Sequence, residues 1–200
     1  MRVHSSLLRG VQRLFLWAGV VMLAYAGSTT AYSEAFQRYQ LQKFEQASRP
    51  QLKGTSTARA EESPDLHEGD VVGKLEVPRI GLSVIVLQGI EESTLAVGAG
   101  HVPGTPLPSV DGNVVIAAHR DTFFRKLNVI VPGDKIRLSV RARTYEYVVD
   151  SMNIVDPTIT EPMESRGYSE LTLITCYPFY FVGAAPKRFV VRARPTTRNF

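Results

Sequence analysis

From Gly69 onward the apolar residues of this chain come in short runs, each stopped by Gly, Pro or Asp before a helix of ordinary length could form. Val71 to Val77 reads as a strand ended by Pro78, and Leu82 to Leu87 as a second. Asn113 to Ala118 is continuously apolar after its first residue, which marks a strand buried on both faces. The turn Pro132-Gly133-Asp134 opens Lys135 to Arg141, and in Thr144 to Val155 the residues Tyr145, Tyr147 and Val149 alternate with polar partners. Leu171 to Thr175 and Phe189 to Ala193 complete the set. Helical patterns are confined to Glu91 to Ala96 and Thr122 to Leu127, the second with Asp121 placed to cap it. So many short strands between regular turns predict a mostly β fold, a closed or nearly closed barrel with a few short helices.

Before the barrel the pattern changes completely. Arg2, Arg9 and Arg13 precede an apolar stretch from Leu14 to Tyr32, 19 residues against the roughly 20 that a spanning helix needs. Basic residues on its amino side and none directly after it keep the N-terminus in the cytoplasm and send the remainder outside. Ala24-Tyr25-Ala26 also has the small-x-small form of a signal cleavage site, so an uncleaved anchor and a removed signal peptide both fit these residues. Ser33 to Gln46 lacks Gly and Pro and reads as a short juxtamembrane helix started at Ser33; Arg49 to Glu68 has linker composition. The expected organisation is a basic segment 1–13, a transmembrane segment 14–32, a helix and linker 33–68, and a folded domain 69–200. With 44% hydrophobic residues that domain can bury a core. Past residue 13 the chain carries 20 basic against 19 acidic residues, which argues against a nucleic-acid surface. Arg137, Arg141 and Arg143 then read as the solvated face of strands.

Within the domain, three residues stand at the edges of predicted strands. Cys176 is the only cysteine, so it can form no internal disulfide, and it ends Leu171-Thr-Leu-Ile-Thr-Cys176. His119 ends Asn113-Val-Val-Ile-Ala-Ala-His119, and Arg188 opens the last strand. Strand ends present side chains in fixed directions beside accessible loops. A lone cysteine is also a common core filler, and the alternative of a non-catalytic exported binding module stays open on the residues alone.

Thr172-Leu-Ile-Thr-Cys176 resembles the TLxTC signature of the sortases; Ala118-His-Arg-Asp121 resembles their histidine motif, and Arg188 stands where their arginine does. The resemblance covers roughly Gly69 to Pro195. It implies an eight-stranded β-barrel and a cysteine transpeptidase that cuts an LPxTG-like signal near the C-terminus of an exported protein and joins the new carboxyl end to an amine. His-Arg-Asp-Thr-Phe-Phe and Thr-Cys-Tyr-Pro, in a terse chain with no Asp-Pro-aromatic lid motif and no second apolar segment, look class D-like. The resemblance also implies a retained single-pass anchor in the plasma membrane, with the catalytic domain outside.

In this reading His119, Cys176 and Arg188 are catalytic. Thr175 and the segment from Asp156 to Tyr168 are substrate-binding, with Ile159, Pro162 and Met163 as apolar walls. The partners implied are an exported protein with a C-terminal sorting signal and an amine on the peptidoglycan stem, its cross-bridge or another surface group. A thiol hydrolase passing its thioester to water would use the same residues. Asp150, Asp156, Glu161 and Glu164 form no ligand-spaced motif, so no obligatory metal or other cofactor is expected. His101 reads as a structural residue or a groove wall in a loop, and Asp121 as a helix cap more than a partner of His119.

Overall fold

The computed structural model describes residues 2–47, 66–108, 110–141, 143–181 and 183–196. The linker expected at 49–68 therefore falls mostly outside the described residues. A single helix, α1 (Arg2–Ala47), runs through both the apolar stretch and the juxtamembrane segment. Ser33 starts nothing: with no Pro nearby, extending an existing helix is far easier than nucleating a second. By length and composition α1 contains, within Val11–Lys43, a stretch apolar enough to cross a membrane.

Eight strands follow: β1 (Val71–Val77), β2 (Leu82–Gln88), β3 (Ala99–His101), β4 (Asn113–Ala117), β5 (Lys135–Val140), β6 (Arg143–Val155), β7 (Glu170–Tyr177) and β8 (Lys187–Pro195). They close into a barrel in the order β1-β2-β3-β4-β7-β8-β6-β5. Closure leaves no free sheet edge. Two neighbouring pairs are parallel, β2 with β3 and β4 with β7; the others are antiparallel.

The turn after β1 shows how local chemistry sets the path. Pro78 ends the strand, and Pro78–Ile80 forms one 3-10 turn closed by Gly81 at φ 62°, a left-handed conformation that glycine adopts freely. The barrel interior is filled by one alternate set from each strand, including Leu75, Val84, Val86, Val114, Ile116, Leu138, Leu171, Leu173 and Val191.

Two sequence expectations are corrected here. β3 was not anticipated: His101 lies on a three-residue strand and not in a loop. The helix expected at Thr122 to Leu127 is instead a turn followed by a 3-10 helix at Arg125–Val129, with Phe124 at its cap and no side-chain capping bond. Asp121 therefore caps nothing.

Arg79, in the turn after β1, forks onto the Asp134 carboxylate at the entry to β5, with Nη2 2.7 Å from Oδ2; Val131 N–H donates to the same oxygen at 2.9 Å. The guanidinium holds this buried carboxyl below the usual range. A group depressed in the fold stabilises it above the unfolded pKa and loses that contribution as pH falls through the folded one. Asp134→Asn is thus expected to lower the thermal midpoint at neutral pH. The gap to the parent should narrow below about pH 4; a gap constant with pH in a melting series would contradict the pairing.

Candidate active site

Register alone gathers the three strand-edge residues. β4 and β7 run parallel with Ala117 opposite Ile174, so two further residues carry His119 to the level of Cys176. Ala118 follows the same line, its N–H bonded to the Ile174 carbonyl at 3.2 Å. On the other side of β7, Cys176 is the direct antiparallel partner of Arg188. Leu171 and Leu173 point into the core, so by alternation Thr172, Ile174 and Cys176 face outward, as does Arg188 across from it. One end of the outer barrel face thus holds a sulfur, an imidazole and a guanidinium from three strands.

They line a common cleft of about 340 Å³, together with Arg120, Asp121 and Gly183–Ala185 of the β7–β8 connection. Cys176 is a free thiol and half-buried, neither sealed in the core nor fully exposed. Arg188 is half-buried and donates only to the neighbouring Lys187 carbonyl, at 3.2 Å. Lys187 itself is occupied: its Nζ lies 2.9 Å from Asp156 Oδ2. Of the two adjacent cations, Arg188 is the one that faces the cleft. Glu92, of the helical turn α2 (Glu92–Leu95), is an acidic neighbour of His119, with Oε1 3.8 Å from Nε2. Glu92 is so exposed that the pair contributes at most about 1 kcal/mol.

The β7–β8 connection is held by Arg120, the residue after His119. Its Nη2 donates to the carbonyls of Phe181 at 2.8 Å and Gly183 at 2.9 Å, and its guanidinium lies over the Phe181 ring. Tyr177, Phe179 and Phe189 pack at the root of the same connection, with centroids 5.3 to 6.4 Å apart. The cleft wall next to the thiol is therefore braced at both ends. Sequence reading assigned Arg120 no role, although its position beside His119 was the available signal.

The expected substrate contacts lie apart from this cleft. Thr175 is 2% exposed, and its hydroxyl donates to the Ala118 carbonyl at 2.7 Å. It ties β7 to the chain leading into His119 and presents nothing outward. Pro162 is buried, whereas Ile159 and Met163 are exposed. All three belong to the β6–β7 connection, folded over the outer face farther along β7. A buried polar platform holds that connection. Asn113 Nδ2 donates to the Pro162 carbonyl at 2.8 Å while its Oδ1 accepts from Thr172 at 2.7 Å. Arg192 Nη2 reaches Glu161 Oε1 at 3.0 Å, and its Nη1 is 3.7 Å from the carboxylate of Glu170. Sequence reading missed the platform entirely.

His101 is 3% exposed, with Nδ1 2.8 Å from Gln88 Oε1 and Nε2 3.2 Å from the Pro106 carbonyl. Burial lowers its pKa, and the residue braces the loop after β3. Three of the four acidic residues weighed for calcium are engaged elsewhere: Asp156 with Lys187, Glu161 with Arg166 and Arg192, and Asp150 with Arg194. Among the described residues no three His, Cys, Asp or Glu groups converge enough to hold a metal ion.

The sortase domain family model matches residues 75–196. Sortase D of Bacillus subtilis (strain 168) is 30% identical over 187 residues, covering 90% of this chain and 94% of that protein. Sortase A of Bacillus anthracis is 32% identical over 130 residues, 63% of this chain and 60% of its own length. Among solved structures, a Clostridium perfringens sortase D5 transpeptidase superposes with a TM-score of 0.65, covering 84% of this chain and 99% of that one. At 19% identity this likeness is one of fold. Sortase C1 of Streptococcus suis, at 30% identity, covers 64% of this chain and 74% of its own with a TM-score of 0.60. A barrel matched along most of its length, and a sortase D alike across nine-tenths of the chain, make this protein a member of the sortase family of cysteine transpeptidases, class D-like.

Proposed function

We propose that this protein cleaves an LPxTG-like sorting signal near the C-terminus of exported proteins and transfers the acyl group to an amine of the cell surface, on the peptidoglycan stem, its cross-bridge or a similar acceptor. The observation that carries this reading is the shared strand-end level of Cys176, His119 and Arg188 around one cleft. The apolar N-terminal helix supports a membrane-anchored enzyme with its barrel on the outer side.

The chemistry follows from the three groups. Cys176 as thiolate attacks the amide carbonyl after the motif threonine, because the thiolate and not the thiol is the nucleophile. The carbonyl oxygen becomes an oxyanion, and the Arg188 guanidinium beside it offers charge-assisted hydrogen bonds. Collapse breaks the C–N bond, and protonated His119 supplies the proton that the departing amine needs. A thioester on Cys176 remains. His119, now neutral, removes a proton from the incoming amine, which attacks the thioester, forms a new amide and releases the thiolate. In this reading Ile159, Pro162 and Met163 form the wall that meets the apolar part of the signal, and Thr175 contributes by positioning.

The test is mass spectrometry of the full chain in detergent, incubated with a panel of LPxTG-like peptides with and without an added amine. The expected result is an acyl adduct at Cys176 that disappears into an amide product when amine is present. An adduct released only to water would favour the hydrolase, and no adduct with any peptide would overturn the reading.

A further inference from the structure

Past the apolar stretch, α1 keeps one face on the barrel. Ser33, Phe36, Gln37, Gln40 and Leu41 are partly or fully buried, at the spacing of a single helix face. Gln37 is the most enclosed of them, 9% exposed. Its side-chain amide bonds twice to barrel backbone: Oε1 accepts from the Ile85 N–H at 2.9 Å, and Nε2 donates to the Val97 carbonyl. β3 begins only at Ala99, opposite Val86, so Ile85 lies one step beyond the end of that pairing. Gln37 supplies the acceptor that a longer β3 would have provided. The seat is also cut to fit, because a Cβ at Gly98 would stand 3.2 Å from Gln37 Nε2 and 3.0 Å from the Ile85 oxygen.

We infer that Gln37 locks the barrel onto the membrane-crossing helix, so that the catalytic domain rides at a fixed height just above the lipid headgroups and serves substrates that are themselves tethered to that membrane. This rests on reading Leu14–Tyr32 as a membrane span. Gln37 stands five positions past Tyr32, a rise of about 7.5 Å along the helix. The chain between Ala47 and Leu66 is thereby bypassed by a direct contact. The docking seat and the cleft are also neighbours: the connection that offers Val97 to Gln37 carries Glu92 to 3.8 Å from His119.

The experiment uses the full chain in phospholipid nanodiscs, comparing the parent with Gln37→Ala by hydrogen exchange and by turnover of one sorting peptide in two forms, free and lipid-tethered. The Ile85 amide is expected to exchange at least about tenfold faster in the variant. Turnover of the tethered peptide should fall about tenfold and that of the free peptide stay unchanged, with an unaltered thermal midpoint as the control for folding. Equal exchange at Ile85 in both proteins overturns the lock. Equal loss on both peptides overturns its role in height. A parent inactive on both peptides refutes the proposed function instead, and the exchange measurement still decides the dock.

Discussion

A chain with His119→Ala should turn over a sorting peptide about 10²- to 10⁴-fold more slowly than the parent, the range that a positioned general acid and base supplies. The loss should appear in kcat, because in the proposed mechanism the imidazole acts on the departing and entering amines and not on the resting peptide. Folding should be unaffected. His119 lies past the end of β4, with a third of its side chain exposed, and none of the core packing depends on it. The measurement is amide-product formation across amine concentrations, alongside thermal unfolding. Unchanged turnover would remove His119 from the chemistry and leave the proposed activation of the thiol to Arg188, its direct strand partner.

The second large effect concerns stability and the β6–β7 connection. Arg192 is 5% exposed and Glu170 4%, so Arg192→Ala leaves a carboxylate without its partner inside the protein. Breaking a buried pair in this way costs about 3–5 kcal/mol. Burial already raises the Glu170 pKa, with Arg192 opposing that rise. Without the guanidinium the carboxyl should take up a proton more readily still, so the deficit shrinks as pH is lowered through its raised pKa. A double change, Arg192→Met with Glu170→Gln, should lose less than Arg192→Ala alone, since neither charge is then stranded. Denaturant titrations of both variants at neutral and mildly acidic pH decide it; a double variant that loses as much as Arg192→Ala would mean that the two groups are not coupled. The kinetic sign is distinct: loosening Glu161 and its neighbours should raise KM more than it lowers kcat.

The contrast between these two sites shows what a linear reading can reach. Seven of the strands and all three cleft residues were legible, because strand ends carry sharp punctuation and the His, Cys and Arg motifs are local. β3 was not, since Ala99-Gly100-His101 is too short to show alternation, and its partners are set by parallel pairing with a distant run. Asn113, Thr172, Arg192 and Gln37 escaped for a different reason. Each is a polar residue on the outer face of a strand or on a helix surface, where exposure is the ordinary expectation. They are buried only because another segment lies over them, and that contact is invisible until the chain is folded. Thr175 stands beside the thiol in sequence, yet alternation turns its side chain inward. Asp121 was read as a cap because capping residues stand before helices, but the chain here tightens into a 3-10 turn that begins too late to use it.

The β6–β7 connection enters from Val155 and leaves at Glu170; among the described residues Asn113 and Arg192 hold its middle, while Lys187 bonded to Asp156 and Asp111 bonded to Ser169 pin its two ends. That makes it a cassette. If that connection reads the sorting signal as proposed, a loop borrowed from another member of the family that brings carbonyls and acids to the same anchors should change which peptide is taken, while Cys176, His119 and Arg188 at the far end of the strands stay in place.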